Sequence, residues 1–351
     1  MWFISSPIHR WLRDSTAKLA PIYQYILRIF LYLASILFVI YLIYFFTTRS
    51  INMRMFEASL DMDDFRLELS SYWTNYRMMR PKPGTCDNTT LFVAIMTTSN
   101  IKSYRQRMAI RKYTLDRVKG HGVVAKFFLG HQPGFRYDLV KEEIEKYDDM
   151  VYFDSDDNYR NNFVKWYAMY QYHQRYCPHA KYFIKIDDDT AVDWKRVIKW
   201  TERNFDGVVE GKSDYLVCQR FIGMRPVRNK EHIKWYISPK EYSHRFWPTY
   251  CYGYVVLMPN STVAKLSEAS KGMPLIHMDD VLYTGLAARA AKVPVYDFEG
   301  FREGIHPRYP CTEDGVPYPT AIHLQKTPKA MARTMDKLTS LDCENDDVFA
   351  P

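Results

Sequence analysis

Residues Ile29 to Phe46 (IFLYLASILFVIYLIYFF) contain no charged side chain, and Thr47-Thr48 extend the run. About 20 such residues are what a helix needs to cross the hydrocarbon core of a bilayer. The run leaves no polar face for water. It is also too long, and lacks the small-x-small site, for a cleaved leader. Before it stand Arg10, Arg13, Lys18 and Arg28 against the single acid Asp14, and after it Arg49 and Arg54 give way to Glu57, Asp61, Asp63 and Asp64. That excess of bases on the amino side predicts a cytosolic N-terminus and a single-pass type II chain. The expected division is a cytosolic tail over 1–28, a transmembrane signal-anchor over 29–48, a stem over 49–86 and a lumenal domain over 87–351.

All six cysteines (Cys86, Cys177, Cys218, Cys251, Cys311, Cys343) follow the span. An even number on the oxidising side permits up to three disulfides, whose pairing the spacing does not sort. No Cys-x-x-Cys pair is present, so a zinc site is not expected. Sequons at Asn88-Thr89-Thr90 and Asn260-Ser261-Thr262 suit a lumenal domain. The net charge is +8. That balance fits an anionic small molecule, and no basic run interleaved with aromatics calls for nucleic acid.

Residues 49–85 have mixed charge and end in Arg80-Pro81-Lys82-Pro83-Gly84, the composition of a tether with room for one short helix. From Leu91 strands alternate with helices. Leu91–Met96, 123–129 and 150–153 read as buried strands. Phe163, Trp166, Tyr167 and Tyr170 recur at helical spacing and read as core packing. Later come helix 194–204, strands 215–221 and 254–258, and helices near 261–269, 279–291 and 327–340. This alternation predicts an α/β layered domain with a largely parallel sheet.

Strand Lys181–Ile186 ends abruptly in Asp187-Asp188-Asp189. Side chains just past the carboxyl end of a parallel strand project into the crevice where ligands bind. Three acids there repel one another and call for a compensating cation. Hard oxygen donors suit Mg²⁺ or Mn²⁺ shared with a substrate phosphate. Arg107 and Arg111, one turn apart after the first strand, could face a diphosphate. Lys165 follows Asp157-Asn158-Tyr159-Arg160-Asn161, and Asp279-Asp280-Val281 opens a helix. Each motif alone has an ordinary reading: a solvated turn, exposed helix arginines, or acids complementing a helix dipole.

In order, these motifs resemble glycosyltransferase family 31, the β-1,3-galactosyltransferase and β-1,3-N-acetylglucosaminyltransferase group. The matching residues are Arg107/Ile110/Arg111, Phe128-Leu129-Gly130, Asp157/Tyr159/Asn161/Lys165, Lys185/Asp187-Asp188-Asp189 and Asp279-Asp280-Val281, with Ala321-Ile322-His323 and Lys326-Thr327-Pro328 at the close. Against the family pattern, Tyr250–Tyr254 is one residue short, and Asp279-Asp280-Val281-Leu282-Tyr283-Thr284-Gly285 has one residue more before its glycine.

The resemblance implies a GT-A (Rossmann-like) fold behind the membrane anchor, Golgi membrane residence, and inverting transfer of a hexose from a UDP-sugar. Galactose from UDP-galactose is the expected donor, in β-1,3 linkage to a glycan acceptor on glycoprotein or glycolipid. UDP-GlcNAc transfer is the alternative within enzymes, and a catalytically inactive carbohydrate-binding relative the alternative outside them. It further implies Mn²⁺ or Mg²⁺ on Asp189, Asp187 and His323. Asp280 or Asp279 would be the base, with the former preferred. Arg107, Arg111, Lys165, Asp187 and Asp188 would lie around the donor.

Overall fold

A computed structural model describes residues 7–306 and 308–343. The chain forms two units, 1–59 and 60–351. The first holds helix α1 (Pro7–Ala58), whose stretch Tyr23–Ala58 is long and apolar enough to cross a membrane. The expected span 29–48 falls inside it. The helix continues to Ala58 through residues assigned from composition to the stem.

The second unit contains β1 (Met62–Leu69), β2 (Tyr72–Met79), β3 (Leu91–Met96), β4 (Val123–His131), β5 (Met150–Asp156), β6 (Tyr182–Asp187), β7 (Ala191–Val192), β8 (Leu216–Phe221), β9 (Tyr250–Pro259), β10 (Val295–Asp297), β11 (Phe301–Arg302) and β12 (Ala321–Ile322). Its helices are α2 (Ile101–Tyr113), α3 (Tyr137–Tyr147), α4 (Asn162–Tyr176), α5 (Trp194–Glu202), α6 (Asn260–Ser270), α7 (Ala288–Ala290) and α8 (Pro328–Thr339). Among the described residues the main sheet runs β1-β2-β5-β4-β3-β6-β9-β8-β10. Strands β5, β4, β3 and β6 are mutually parallel, whereas β9 runs antiparallel to both its neighbours. The α/β class expected from the strand–helix alternation is therefore what the chain adopts.

One expectation is corrected. Residues 62–79 are no tether: β1 and β2 pair along eight residues and join the sheet through Met78 opposite Phe153. Leu67, Leu69, Tyr76 and Met78 are buried in the main core. Alternating Phe65, Leu67, Leu69 and Tyr76, Met78 carry the period-two signal of a half-buried hairpin, which the surrounding charges mask.

Helix α4 packs its aromatic stripe into the core, with Trp166 and Tyr170 fully buried. Burying each large side chain contributes roughly 1.5–3 kcal/mol before entropy is counted. Thr327 caps α8, its Oγ1 accepting from the Ala330 N–H at 3.1 Å, as Thr-Pro predicted.

The chain order around β3 decides where a ligand can sit. From β3 the connection passes to β4 and β5 on one side, then returns to β6 on the other. That reversal opens a crevice past the carboxyl ends of β3 and β6, where Met96 pairs with Asp187. A second, three-stranded sheet (β11-β12-β7) stands next in sequence to the acid triplet: Ala321 and Ile322 pair antiparallel with Val192 and Ala191.

Candidate active site

The β7–β12 register explains a long-range meeting. Because Ile322 faces Ala191, the next residue His323 is carried beside Asp189, and the Gln325 N–H donates to the Asp189 carbonyl at 2.7 Å. The His323 Nε2 lies 3.0 Å from Asp189 Oδ1. Leu324 makes the turn at φ 65°, a left-handed conformation costly for a branched side chain. Ligand atoms of Asp187, Asp189 and His323 all lie within 4.8 Å of one another.

The donor set fits a divalent cation. Carboxylates and an imidazole are both donors that divalent metal ions take. The His323 Nδ1 is buried without a hydrogen-bond partner. Its ring stacks on Tyr254 at 4.4 Å between centroids, which fixes the imidazole. Burial pushes the Asp189 carboxyl up, but the His323 hydrogen bond and the charges of His323 and Lys326 outweigh it and hold the group below its ordinary value.

Asp188 points elsewhere. It accepts from Thr97 Oγ1 at 2.7 Å, tying the triplet to the end of β3, and burial pushes it up to about 6. Lys185, buried in β6, donates to Asp187 Oδ1 at 2.5 Å and the Gly253 carbonyl at 2.6 Å, with its ammonium 4.6 Å from the Trp166 ring centre. Asp279 and Asp280 stand in the same field, and burial foremost pushes both carboxyls up. For Asp280 the charge of Asp279 adds to it. Asp279 is buried, while Asp280 keeps partial exposure.

Asp280 caps a π-helix, Val281–Ala287, rather than the α-helix expected there. A π-turn is wider than an α-turn, and such turns recur at functional sites. Thr284 Oγ1 locks the turn to β9, accepting from the Cys251 N–H at 2.9 Å and donating to the Asp280 carbonyl at 2.6 Å. Gly253 admits the acid, since a Cβ there would stand 3.0 Å from the Asp280 Cβ.

The three cations expected at a diphosphate are engaged elsewhere. Arg107 is buried and holds Glu143 through Nε at 2.8 Å and Nη2 at 2.6 Å, with Nη1 on the Thr98 carbonyl. Arg111 grips Asp149 at 2.7 and 2.6 Å and reaches Glu143 at 2.7 Å. The buried Lys165 joins Asp157 Oδ1 and the Thr97 carbonyl, both at 2.6 Å. Two carboxylates presented by α3 and the start of β5 were not foreseeable from the local Arg-x-x-Ile-Arg pattern. These cations brace the ends of β3 and β4 beneath the site.

Sequence reasoning passed over three residues of the wall. Tyr159 lies in the field of Asp279, Asp280 and Asp187, and burial with those charges raises its hydroxyl. Tyr252 is pushed up to about 12 by burial and by Glu303. Tyr159 and Tyr252 stand in the Asp157–Asn161 and Tyr250–Tyr254 stretches, whose pattern gives neither ring a role; Glu303 has no local signal.

A family model described as galactosyltransferase matches residues 105–299, more than half of the chain. The chain belongs to this family. Mouse β-1,3-galactosyltransferase 2 is 24% identical over 224 residues, 62% of this chain and 52% of that protein. Rat UDP-GalNAc:β-1,3-N-acetylgalactosaminyltransferase 1 is 26% identical over 238 residues, 64% of this chain and 68% of the relative. Human lactosylceramide 1,3-N-acetyl-β-D-glucosaminyltransferase is 23% identical over 261 residues, 71% and 68% respectively. The chain thus spans about half the length of the first of these galactosyltransferase-family relatives. Among solved structures, the galactosyltransferase LgtC in complex with donor and acceptor sugar analogues has a TM-score of 0.35 at 11% identity, covering 71% of this chain and 97% of that one. The family placement agrees with the motif order read from the sequence.

Proposed function

We propose that the protein is a metal-dependent, inverting β-1,3-hexosyltransferase that moves galactose from UDP-galactose onto a glycan of a glycoprotein or glycolipid at the lumenal face of the Golgi membrane. The observation that carries this reading is the convergence of Asp187, Asp189 and His323 beside the Asp279–Asp280 pair, at the sheet's switch point. Mn²⁺ or Mg²⁺ held by Asp189, Asp187 and His323 would supply Lewis-acid neutralisation of the leaving diphosphate. The partly exposed Asp280 takes the proton from the attacking acceptor hydroxyl. A carboxyl raised towards the working pH suits that task. Asp279 raises its neighbour by proximity, and Lys185 steadies Asp187. Inversion by a single displacement needs no nucleophile from the chain.

A second reading keeps these roles with UDP-GlcNAc or UDP-GalNAc as donor, because the named relatives include transferases of both sugars. The test is Mn²⁺-dependent UDP release by the detergent-solubilised full chain across a panel of UDP-sugars, with Asp189→Ala alongside. Release from one donor, lost in the variant, is expected and names the sugar. Absence of any UDP–Mn²⁺ binding would refute the reading and favour a carbohydrate-binding relative without activity.

A further inference from the structure

Among the described residues from 60 onward, three large aromatic rings stand open to solvent: Trp73, Trp235 and Phe246. Trp235, 43% exposed, is tied to the candidate active site through Tyr159. The Trp235 indole N–H bonds the Tyr159 hydroxyl. That hydroxyl stands 4.0 Å from the sulfur of Met278, the residue before Asp279. The Lys234 ammonium is 4.2 Å from the Tyr159 ring centre and 5.2 Å from that of Trp235, so both rings sit about one cation. The charges of Asp279 and Asp280 act on Tyr159 more strongly than that of Asp187. This corner therefore lies beside the acid pair rather than among the metal ligands.

The corner is held from below. Tyr236 bridges to Val227, and the Ile237 N–H returns to the Val227 carbonyl at 3.0 Å. Ile237, Tyr242 and Trp247 form a small core with Tyr250, Ile276 and Val281, and Met278 packs on it. Val281 is the first residue of the π-helix. Arg228 donates to the Ile237 carbonyl at 2.7 Å and the Tyr242 carbonyl at 2.5 Å. Glu241 Oε1 lies 3.8 Å from Nδ1 of the buried His277, two residues before Asp279. The turn that carries Trp235 and the chain leading into the acid pair are thus packed as one piece.

We infer that Trp235 is the stacking platform for a pyranoside acceptor, framed by Lys234 and Tyr159 so that one acceptor hydroxyl reaches Asp280. The assignment of an acceptor rests on the transferase reading. A pyranose ring has a face of C–H groups and a rim of hydroxyls. An indole whose N–H is already bonded offers that C–H face an apolar, electron-rich plane. The Lys234 ammonium offers the rim a donor with three protons. Aromatic walls with a few placed polar groups are the ordinary make-up of a small-ligand site. The attacking sugar has to meet the base from the side that the metal and the leaving diphosphate do not occupy. The Asp187, Asp189 and His323 group marks the metal side, and the Tyr159 corner stands on the acid pair's own side.

The test uses the detergent-solubilised full chain, with the methyl β-glycosides of galactose, glucose and N-acetylglucosamine as acceptor probes. Trp235→Ala is expected to raise the acceptor KM about tenfold or more while the donor KM and UDP–Mn²⁺ binding stay within about twofold. Trp235→Phe keeps a ring, loses the indole N–H and should remain within about threefold of the parent chain. Should Trp235→Ala fold poorly, Trp235→Leu keeps the apolar volume without a ring and is expected to show the same loss. A second measurement needs no turnover. Saturation-transfer NMR should show the best glycoside touching the parent chain through its C–H face, and that signal should vanish in Trp235→Ala. An unchanged acceptor KM in the variant would overturn the inference, as would an equal loss of UDP–Mn²⁺ binding, which would make the ring a structural one. Failure of the transferase reading shows itself separately, as no UDP release by the parent chain with any donor and acceptor. The NMR contact then still decides whether Trp235 holds a sugar: its absence from the parent chain, or its persistence in the variant, would overturn the platform.

Discussion

Glu143→Gln distinguishes a bracing role for the family's arginines from a substrate-binding one. Glu143 and Arg107 each have only 1% of their side chain exposed, and Glu143 also holds Arg111 at 2.7 Å. The substitution keeps shape and removes charge. Arg111 retains Asp149, but Arg107 is left buried with no carboxylate. Breaking a buried pair in this way costs about 3–5 kcal/mol, most of it the uncompensated charge. For a unit of about 290 residues the melting entropy is near 0.6 kcal/mol per degree, so Tm should fall by roughly 5–8 °C. Differential scanning fluorimetry on the solubilised chain reads this, beside the KM for the UDP-sugar measured well below Tm. The bracing argument predicts a large fall in Tm with the donor KM held within about twofold. A Tm unchanged within 2 °C or so, with a donor KM raised tenfold or more, would return Arg107 to the diphosphate and refute the argument.

Asp280→Asn should lower transfer by roughly 10²–10⁴ while UDP–Mn²⁺ binding persists. Because burial raises both carboxyls above their unfolded values, the fold is favoured at low pH and loses stability as pH rises through the raised range. Asp280→Asn should therefore raise Tm at neutral pH and leave it unchanged below the ordinary carboxylate range; thermal melts at the two pH values decide. Gly253→Ala places a Cβ 3.0 Å from that of Asp280 and 3.4 Å from the Trp166 ring, so kcat should fall about tenfold with the donor KM little changed. Opening Cys218–Cys251, separated by 33 residues, with a paired Ser substitution should cost about 3–4 kcal/mol, read in denaturant melts.

What was legible in the sequence follows from range. The helical spacing of Phe163, Trp166, Tyr167 and Tyr170, and the strand ending in Asp187, are local patterns that determine an element and its exit point. The joining of Asp189 to His323 depends on β7 and β12, two-residue strands too short to leave a periodic trace; the resemblance supplied His323, not the spacing. Arg107 and Arg111 show range in another way. Their helix was read correctly, yet their partners Glu143 and Asp149 lie about 30 to 40 residues away in ordinary acidic surroundings, and only the packed structure reveals them. The π-turn beneath Asp280 left no periodic trace either; Thr284 ties it to β9 through the Cys251 N–H.

The β1–β2 hairpin bears on how the lumenal portion can be handled by itself. A secreted version begun at residue 87, where composition puts the end of the stem, would strip β5 of β2, one of its two neighbours. The aromatic rings of Phe153 and Phe163 would lose the Tyr76 and Tyr72 rings that now lie 6.2 and 5.4 Å from them. A bare, apolar edge is a template for another chain. Such a preparation is expected to come out of secretion as aggregate, whereas one begun at residue 60 keeps its border strand and stays monodisperse.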